Sequence, residues 1–479
     1  MKRIVLLSCL WLGLSGVVVG MNNDPVKSLY SILALMEANL DSGNPAAAKI
    51  SARNCSGFAM DHRARCFFLL PSKLVGLETK EFFLELRKDL EEEILQKSNS
   101  GDSAESLYSL LVLMKSYSDN ENRDSVEKTT EACAKFAIKY KAQCFFNLAP
   151  ELLSLTDSPA FLELKNKLEG EILKDFDSIR KVFYENKSDF LDLPHQAIYL
   201  IVKNNNFMVD SEASVFYLVA CWIEKDLAER EKYFQQLIEP IRFSQMKKPY
   251  LLWIVPNLLP YFRSKKNPPI GPMMGEEYLN KRLDFAQKAV ENEMCTRCIG
   301  QIIEQQGKEF AAEQLKRRPC FTGKNNQITV KCVFNNIKQL TPAARYYSAP
   351  LVSNGYEFYY FIRLQKTDPN ASDSPENFKL AGYLRCVTKI PNGTTHRLPV
   401  STTVKVAKKS EGDRDFKASS VIFEASEKAI GGNLMLEGEN WEQVENDNCP
   451  IIINDTMTVT ATIELLPEED GCVVISEIL

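Results

Sequence analysis

Residues 28–95 of this chain return at residues 106–173 without a gap, at a constant offset of 78, with 28 identities in 68 positions. SLYSILALM (28–36) returns as SLYSLLVLM (106–114), and CSGFAMDHRARCFF (55–68) returns as CAKFAIKYKAQCFF (133–146). FLELRKDLEEEIL (83–95) returns as FLELKNKLEGEIL (161–173). A duplicated supersecondary unit buries its apolar face by stacking on its neighbour, so the copies are expected to share one fold and one core. Each copy reads as helices. Leu29, Ile32, Leu33, Leu35 and Met36 recur at helical spacing, as do Phe83, Leu86, Leu90 and Ile94. Gly43-Asn44-Pro45 and Pro71-Ser72 break the pattern between them.

The duplication carries a cysteine pair at the same spacing in each copy, Cys55/Cys66 and Cys133/Cys144. Eleven residues along one helix span about 16 Å, too far for a disulfide, so a bridge requires the two cysteines on successive antiparallel helices. A stapled helical hairpin in each copy is one expectation, and two small buried core residues is the other.

The N-terminus bears on redox compartment. Lys2 and Arg3 precede an apolar run from Ile4 to Val19, and Val18 and Gly20 stand at −3 and −1 of a cut before Met21. These are the parts of a secretory signal peptide over residues 1–20, with an uncleaved anchor or a buried first helix as the alternative. No other stretch is long enough for a membrane span in the mature chain. Cys9 would leave with the signal, and twelve cysteines remain. An even number in an oxidising compartment marks Cys55, Cys66, Cys133, Cys144, Cys295, Cys298, Cys320, Cys332, Cys449 and Cys472 as disulfide candidates, beside Cys221 and Cys386. Asn54, Asn186, Asn370, Asn392 and Asn454 open Asn-x-Ser/Thr sequons and are glycosylation candidates. Secretion is the expected localisation. The net charge of −5 argues against a nucleic-acid partner.

From Asp189 the pattern changes. DFLDLP (189–194) is followed by Ser211-Glu212, Val215-Phe216, Cys221-Trp222-Ile223, Arg230 and Ile241-Arg242-Phe243. Together these resemble the BACK domain, the helical module that usually follows a BTB domain in cullin-ligase adaptors and that also occurs in secreted galectin-binding glycoproteins. Ser211 is expected to cap a helix with the stripe Val215, Leu218, Val219 and Trp222. Trp222 reads as a packing anchor. Arg242 reads either as holding a neighbouring carboxylate or as a solvated charge. The repeats show no strand pattern of a BTB domain, so its dimerisation and cullin binding are not implied.

Pro268-Pro269-Ile270-Gly271-Pro272 breaks the helical run, and a further helical stretch to about Lys316 carries Cys295-Thr296-Arg297-Cys298. No second CxxC accompanies it, which favours structural cysteines over zinc or thiol exchange. After Gly323 the period becomes that of strands: QITVKCVFNNI, YEFYYFIRLQ, KLAGYLRCV, TTVKVAKK, ASSVIFEA and TMTVTATIELL. Six or more short strands in about 140 residues predict an antiparallel β-sandwich or barrel.

The strand order resembles the MATH, or TRAF-C-like, domain. The segments concerned are ITVKCVFNNIKQL (328–340), SAPLVSNGYEFYYFIRL (348–364), LAGYLRC (380–386) and INDTMTVTATIEL (453–465). The resemblance implies recognition of an extended peptide across one sheet. Tyr383 falls where the family often has a groove aromatic, so it is the candidate partner-binding residue, expected to point outward; plain sheet packing is the alternative. Ile430-Gly431-Gly432 replaces the family's Trp-Gly-Phe stretch, which implies a flatter groove.

The chain therefore divides into a signal peptide (1–20), duplicated helices (24–176) and a BACK-like helical domain (177–262). A helical linker (263–322), a MATH/TRAF-like antiparallel β-sandwich (323–467) and a tail (468–479) follow. Its three histidines, His62, His195 and His396, lie far apart in sequence and outside any catalytic motif. The carboxylate pairs Glu91–Glu93 and Glu468–Asp470 read as solvated. No catalytic residue, metal site or cofactor is expected. The reading is a secreted, non-enzymatic adaptor with a protein or peptide partner. The alternatives are an intracellular BTB–BACK–MATH-type substrate adaptor for a cullin ubiquitin ligase and an enzyme of unrecognised type.

Overall fold

The structure is a computed structural model and describes residues 24–69, 76–99, 101, 103–247, 250–265, 276–291, 318–319, 327–342, 344–368, 370, 372–374, 377–387, 389, 396–408, 413–425, 433–434, 441–445 and 449–465. The chain forms two compact units that divide after Ile172.

The first unit repeats helix for helix. α1 (Pro25–Asp41), α2 (Pro45–Cys55), α3 (Met60–Phe68) and α4 (Glu81–Ser98) are followed by α5 (Ala104–Asp119), α6 (Arg123–Ala134), α7 (Ile138–Phe146) and α8 (Pro159–Asp175). Asn44 caps α2 through the Ala47 amide, and Asn122 caps α6 through the Ser125 amide. The phenyl rings of Phe67 and Phe83 lie 5.2 Å apart, as do those of Phe145 and Phe161. Arg63 pairs with Glu93 at 2.6 Å, and Lys141 pairs with Glu171 at the equivalent place. These contacts join α3 to α4 and α7 to α8, so sequence identity across the offset of 78 has become identity of packing. One difference is informative. Ile32 and Leu35 of α1 are half-buried, whereas their counterparts Leu110 and Leu113 of α5 are fully buried. α5 is the central helix: it packs against α3 and α4 of the first copy as well as α6 and α7 of its own.

The second unit begins with short helices: α9 (Ile179–Tyr184), α10 (Lys187–Asp192), α11 (His195–Lys203) and α12 (Glu212–Lys225). Ser211 caps α12 through the Ser214 amide at 3.3 Å, as expected. The expected apolar stripe is an understatement, because every residue from Glu212 to Ile223 is buried. Trp222 is the anchor: its indole N–H donates to the Leu193 carbonyl at 2.9 Å, and the Arg230 guanidinium lies 4.2 Å over its ring. Arg242 is buried rather than solvated. Its Nη1 stands 3.9 Å from Glu212 Oε1, and its backbone N–H donates to Oε2 of the same carboxylate. Arg318 completes this buried group, donating to Glu212 at 2.7 Å and to the Asn204 and Val202 carbonyls at 2.6 Å. α13 (Leu227–Arg230), α14 (Phe234–Ile238), α15 (Val255–Lys265) and α16 (Glu276–Glu291) follow.

Among the described residues, nine strands then form two antiparallel sheets. β1 (Gln327–Asn335), β9 (Thr456–Leu465), β6 (His396–Ala407) and β7 (Asp413–Ala425) lie in that order in one sheet. In the other, β2 (Arg345–Tyr347), β4 (Tyr356–Lys366), β5 (Phe378–Val387) and β8 (Asn433–Leu434) lie side by side, and β3 (Leu351–Ser353) also pairs with β4. Alternation sets the faces: Phe358, Tyr360, Ile362 and Leu364 of β4 are nearly inaccessible, and Tyr360 meets Phe334 of β1 across the sandwich with ring centres 6.1 Å apart. The fold class is therefore helices including a BACK-like region, then an antiparallel sandwich.

The cysteines depart from the expected staples. Cys55, Cys66, Cys133, Cys144, Cys332 and Cys449 are free thiols, as are Cys221 and Cys386. In the first copy the two thiols turn to different partners: Cys55 Sγ donates to its own helix at the Ser51 carbonyl, and Cys66 Sγ to Val26 at the start of α1. Cys144 repeats the second contact with the Ala104 carbonyl. Burial pushes the thiol of Cys55 up to about 11 and those of Cys66 and Cys144 up to about 12. Cys295, Cys298, Cys320 and Cys472 lie outside the described residues. Of the sequons, Asn54, Asn370 and Asn454 are exposed, and Asn186 is half-buried with its amide donating to the Asp175 carbonyl. Asn392 lies outside the described residues.

Candidate functional site

The outer face of the five-stranded sheet carries the odd-numbered residues of β4 and β5, and its two ends differ. At one end it meets the helices. Glu357, a charge within the aromatic and apolar stretch Tyr356–Ile362 of β4, accepts hydrogen bonds from the hydroxyls of Tyr217 on α12 and Tyr359 on β4, and from Lys187 Nζ of α10 at 3.0 Å. Burial pushes this carboxyl up, but the Lys187 charge and the two phenols outweigh it and hold it below the ordinary glutamate value. With both oxygens engaged, Glu357 is a fixed anchor rather than a free base.

The β3–β4 turn sits beside it. Asn354 and Gly355 both have positive φ, 49° and 83°, as a two-residue hairpin turn requires. Their amides donate out of the sandwich into the helical region, Asn354 to Asp210 Oδ2 at 2.6 Å and Gly355 to Ser214 Oγ at 2.9 Å. A third contact joins Lys389, after β5, to Glu224 on α12, which also accepts from the Tyr261 hydroxyl. Burial would raise Glu224 and lower Lys389. Their pairing reverses both effects, leaving the carboxyl below and the ammonium above its ordinary value.

At the other end, an aromatic row crosses the sheet. Tyr347 of β2 pairs in register with Phe361 of β4, and Phe361 with Tyr383 of β5. Ring centres are 5.2 Å apart for the first pair and 5.0 Å for the second, which is stacked at 12°. Arg345 and Arg363 lie over this row, 5.8 Å above Phe361 and 4.6 Å above Tyr383.

Tyr383 takes the outer face but is covered there rather than lining an open groove. It is 2% exposed, its hydroxyl donates to Gln365 and accepts from Arg363 at 3.1 Å, and it forms a buried cluster with Phe361 and Ala381. A buried phenol is costly only when its hydroxyl lacks a partner, and here Arg363 and Gln365 on the neighbouring strand supply two. Tyr347, 45% exposed, is the aromatic of the row that meets solvent. Ile430-Gly431-Gly432 lies outside the described residues. Sequence reading missed Glu357, Tyr217, Lys187, Lys389, Asp210 and Glu224, although a glutamate inside YEFYYFI was itself a signal, since a charge on a buried strand needs a partner.

The His62 ring hydrogen-bonds the neighbouring Asp61 at 2.7 Å, and His195 stacks on Tyr233 at 3.7 Å. Glu93 pairs with Arg63 and Lys97, while Glu91 is half-buried and accepts from Tyr117 rather than standing solvated. Among the described residues no group of three or more His, Cys, Asp or Glu is placed to hold a metal ion. No described helix is long and apolar enough to cross a membrane.

Residues 151–256 match the family model described as BACK, BTB And C-terminal Kelch. The match starts upstream of the boundary at 177 that sequence reading set, so α8 belongs both to the second copy and to the match. Kelch-like protein 11 of Mus musculus is 38% identical over 81 residues, which is 16% of this chain and 11% of that protein. Kelch-like protein 6 of Homo sapiens is 29% identical over 119 residues, 24% of this chain and 17% of that protein. The chain thus spans between a tenth and a fifth of the length of these relatives. Among solved structures, TRAF5 of Notothenia coriiceps is similar at 14% identity and a TM-score of 0.20, covering 41% of this chain and 98% of that one.

Proposed function

We propose that this chain is a secreted, non-enzymatic protein-interaction adaptor, in which BACK-type helices hold the β-sandwich fixed and the free end of its outer sheet face meets an extended polypeptide. The observation that carries this reading is the division of that face. Glu357 and the β3–β4 turn tie one end to the helices, while Tyr347 and Arg345 stand exposed at the other. An exposed tyrosine and arginine backed by a buried aromatic row is the composition of an interaction hot spot. Phe361 packs beside Tyr347, and Tyr383 beside Phe361. The BACK match and the Kelch-like relatives support an interaction role; export rests on the N-terminal pattern of Lys2-Arg3 and the apolar run that follows.

The test uses the full chain as bait in conditioned extracellular fluid. A partner held by the wild type should be lost from Tyr347→Ala/Arg345→Ala at unchanged thermal stability, about 2 kcal/mol of binding. Undiminished capture by that double variant overturns the assignment to this face. Export is tested separately: the released protein should begin near Met21 and gain mobility when N-glycans are removed.

The intracellular adaptor is the second reading, and one observation favours it: all eight described cysteines are free thiols, the state of a reducing compartment. Thiol titration of the denatured, natively expressed protein separates the two. About twelve titratable thiols support the intracellular reading and few support export.

A further inference from the structure

In the first unit a cleft of about 260 Å³ opens between the two copies, where α3 meets α5 and α7. Its lining includes the apolar Ala104, Leu111, Ala149 and Leu152 and the aromatic Tyr108. The Tyr108 hydroxyl is turned away to Glu151 at 2.7 Å, which Arg65 also holds at 2.9 Å. Two carboxylates, Asp61 and Glu105, stand in the lining, with no lysine or arginine among the lining residues. Asp61 contacts the His62 ring, and Glu105 is exposed and forms no ion pair among the described residues.

The duplication provides an internal comparison. Counting back 78 residues, Glu105 corresponds to Lys27, Gln143 to Arg65 and Asn147 to Leu69. Tyr108, Leu111 and Cys144 correspond to the identical Tyr30, Leu33 and Cys66. Tyr108, Leu111 and Cys144 are therefore common to both copies, while the basic Lys27 and Arg65 are replaced by Glu105 and Gln143 and the apolar Leu69 by Asn147. A volume below the ~300 Å³ of ordinary small-molecule sites suits one side chain rather than a cofactor. A lining that combines apolar side chains, an aromatic ring and two carboxylates suits a methylene stem ending in a cation.

We propose that this cleft binds a primary ammonium group on an aliphatic stem, supplied by a lysine side chain of a partner protein. The source rests on the adaptor reading; the ammonium chemistry does not.

The test is saturation-transfer NMR on the full chain with Nα-acetyl-lysine amide as probe. Transfer to its δ- and ε-methylenes is expected, and should be absent from the Nε-acetylated analogue and from Nα-acetyl-norleucine amide, which keep the stem and lose the charge. Glu105→Lys should weaken the probe by about tenfold and Asp61→Asn by about threefold, whereas Glu85→Lys, an exposed carboxylate on α4, should leave it unchanged. Circular dichroism checks that each variant remains helical, and the neutral analogues decide the matter on wild-type protein alone. Equal transfer to the neutral analogues, or undiminished binding by Glu105→Lys, overturns the proposal. Cadaverine binding more than about tenfold tighter than the lysine amide would overturn the protein source and uphold the ammonium site. Lysine-amide binding by a chain that captures nothing through Tyr347 would leave the cleft standing and remove the sheet-face reading.

Discussion

Glu357 shows what one residue decides in this molecule. Its carboxylate is shared by Lys187, Tyr217 and Tyr359, so Glu357→Gln replaces three charge-assisted hydrogen bonds by weaker ones and leaves an ammonium partly stranded. A loss of about 2–3 kcal/mol in urea unfolding of the second unit is expected. The pH dependence follows from the sign of the shift. A carboxyl held below its ordinary value binds its proton more readily in the unfolded chain, so its stabilisation is fully present above that ordinary value, 4.5, and disappears as pH falls through the folded value. Wild-type stability should therefore decline below about pH 4.5, and the decline should be shallower in Glu357→Gln. Asp210 works in the opposite sense. Burial raises it, so its ionisation lowers stability as pH rises from the ordinary value, 3.8, to the folded one. Tyr383 belongs at this scale too. Because it is buried under Arg363, Tyr383→Ala should cost about 3 kcal/mol of stability or more, read by the same unfolding, rather than removing a contact while leaving the fold untouched.

Among elements, the β3–β4 hairpin is the one whose meaning lies furthest from its sequence. Gly355 has φ +83°, and a Cβ there would overlap the Tyr250 ring, which is itself fully enclosed. Gly355→Ala is thus strained in backbone and in space, and should cost about 2–4 kcal/mol. Hydrogen exchange should locate the damage, with protection lost at residues 351–358 and at the start of α12; loss confined to the turn itself would show that the hairpin is not an anchor. The alternation of YEFYYFIRLQ was legible as a strand, whereas Asn354-Gly355 was not singled out as a turn. The cap at Ser211 and the anchor at Trp222 were legible because their partners are local. The seam was not. Tyr217 and Glu357 are 140 residues apart, and Lys187 and Glu357 are 170 apart, so no period or motif joins them. The same reason made α12 look half-exposed. Its stripe was read correctly, but the turn covering its other side comes from a distant strand. The resemblance placed Tyr383 on a groove face with sheet packing as the alternative, and it could not tell that Arg363 and Gln365 of the neighbouring strand cover the ring.

At the scale of the whole molecule the chain carries two separate cores, and their composition predicts how it comes apart. The first unit is held by the duplicated helices, with α5 enclosed because the first copy packs against it; the second is held by α12, the hairpin seam and the sandwich. Equivalent positions of the duplication measure the stacking directly. Leu110 is fully buried and its counterpart Ile32 is half-buried, so Leu110→Ala should cost about 3 kcal/mol and Ile32→Ala about 1–2 kcal/mol, although the two sites are related by the repeat. Independent folding of each copy would make the two costs equal, whereas stacking on a shared core makes them differ. Calorimetry then reads both substitutions against the second unit. If each unit melts as its own cooperative block, Leu110→Ala should lower one transition and Glu357→Gln the other, each leaving its neighbour within about 1 °C. A single transition shifted equally by both substitutions would mean that the two cores unfold as one, and the division after Ile172 would describe geometry without describing stability.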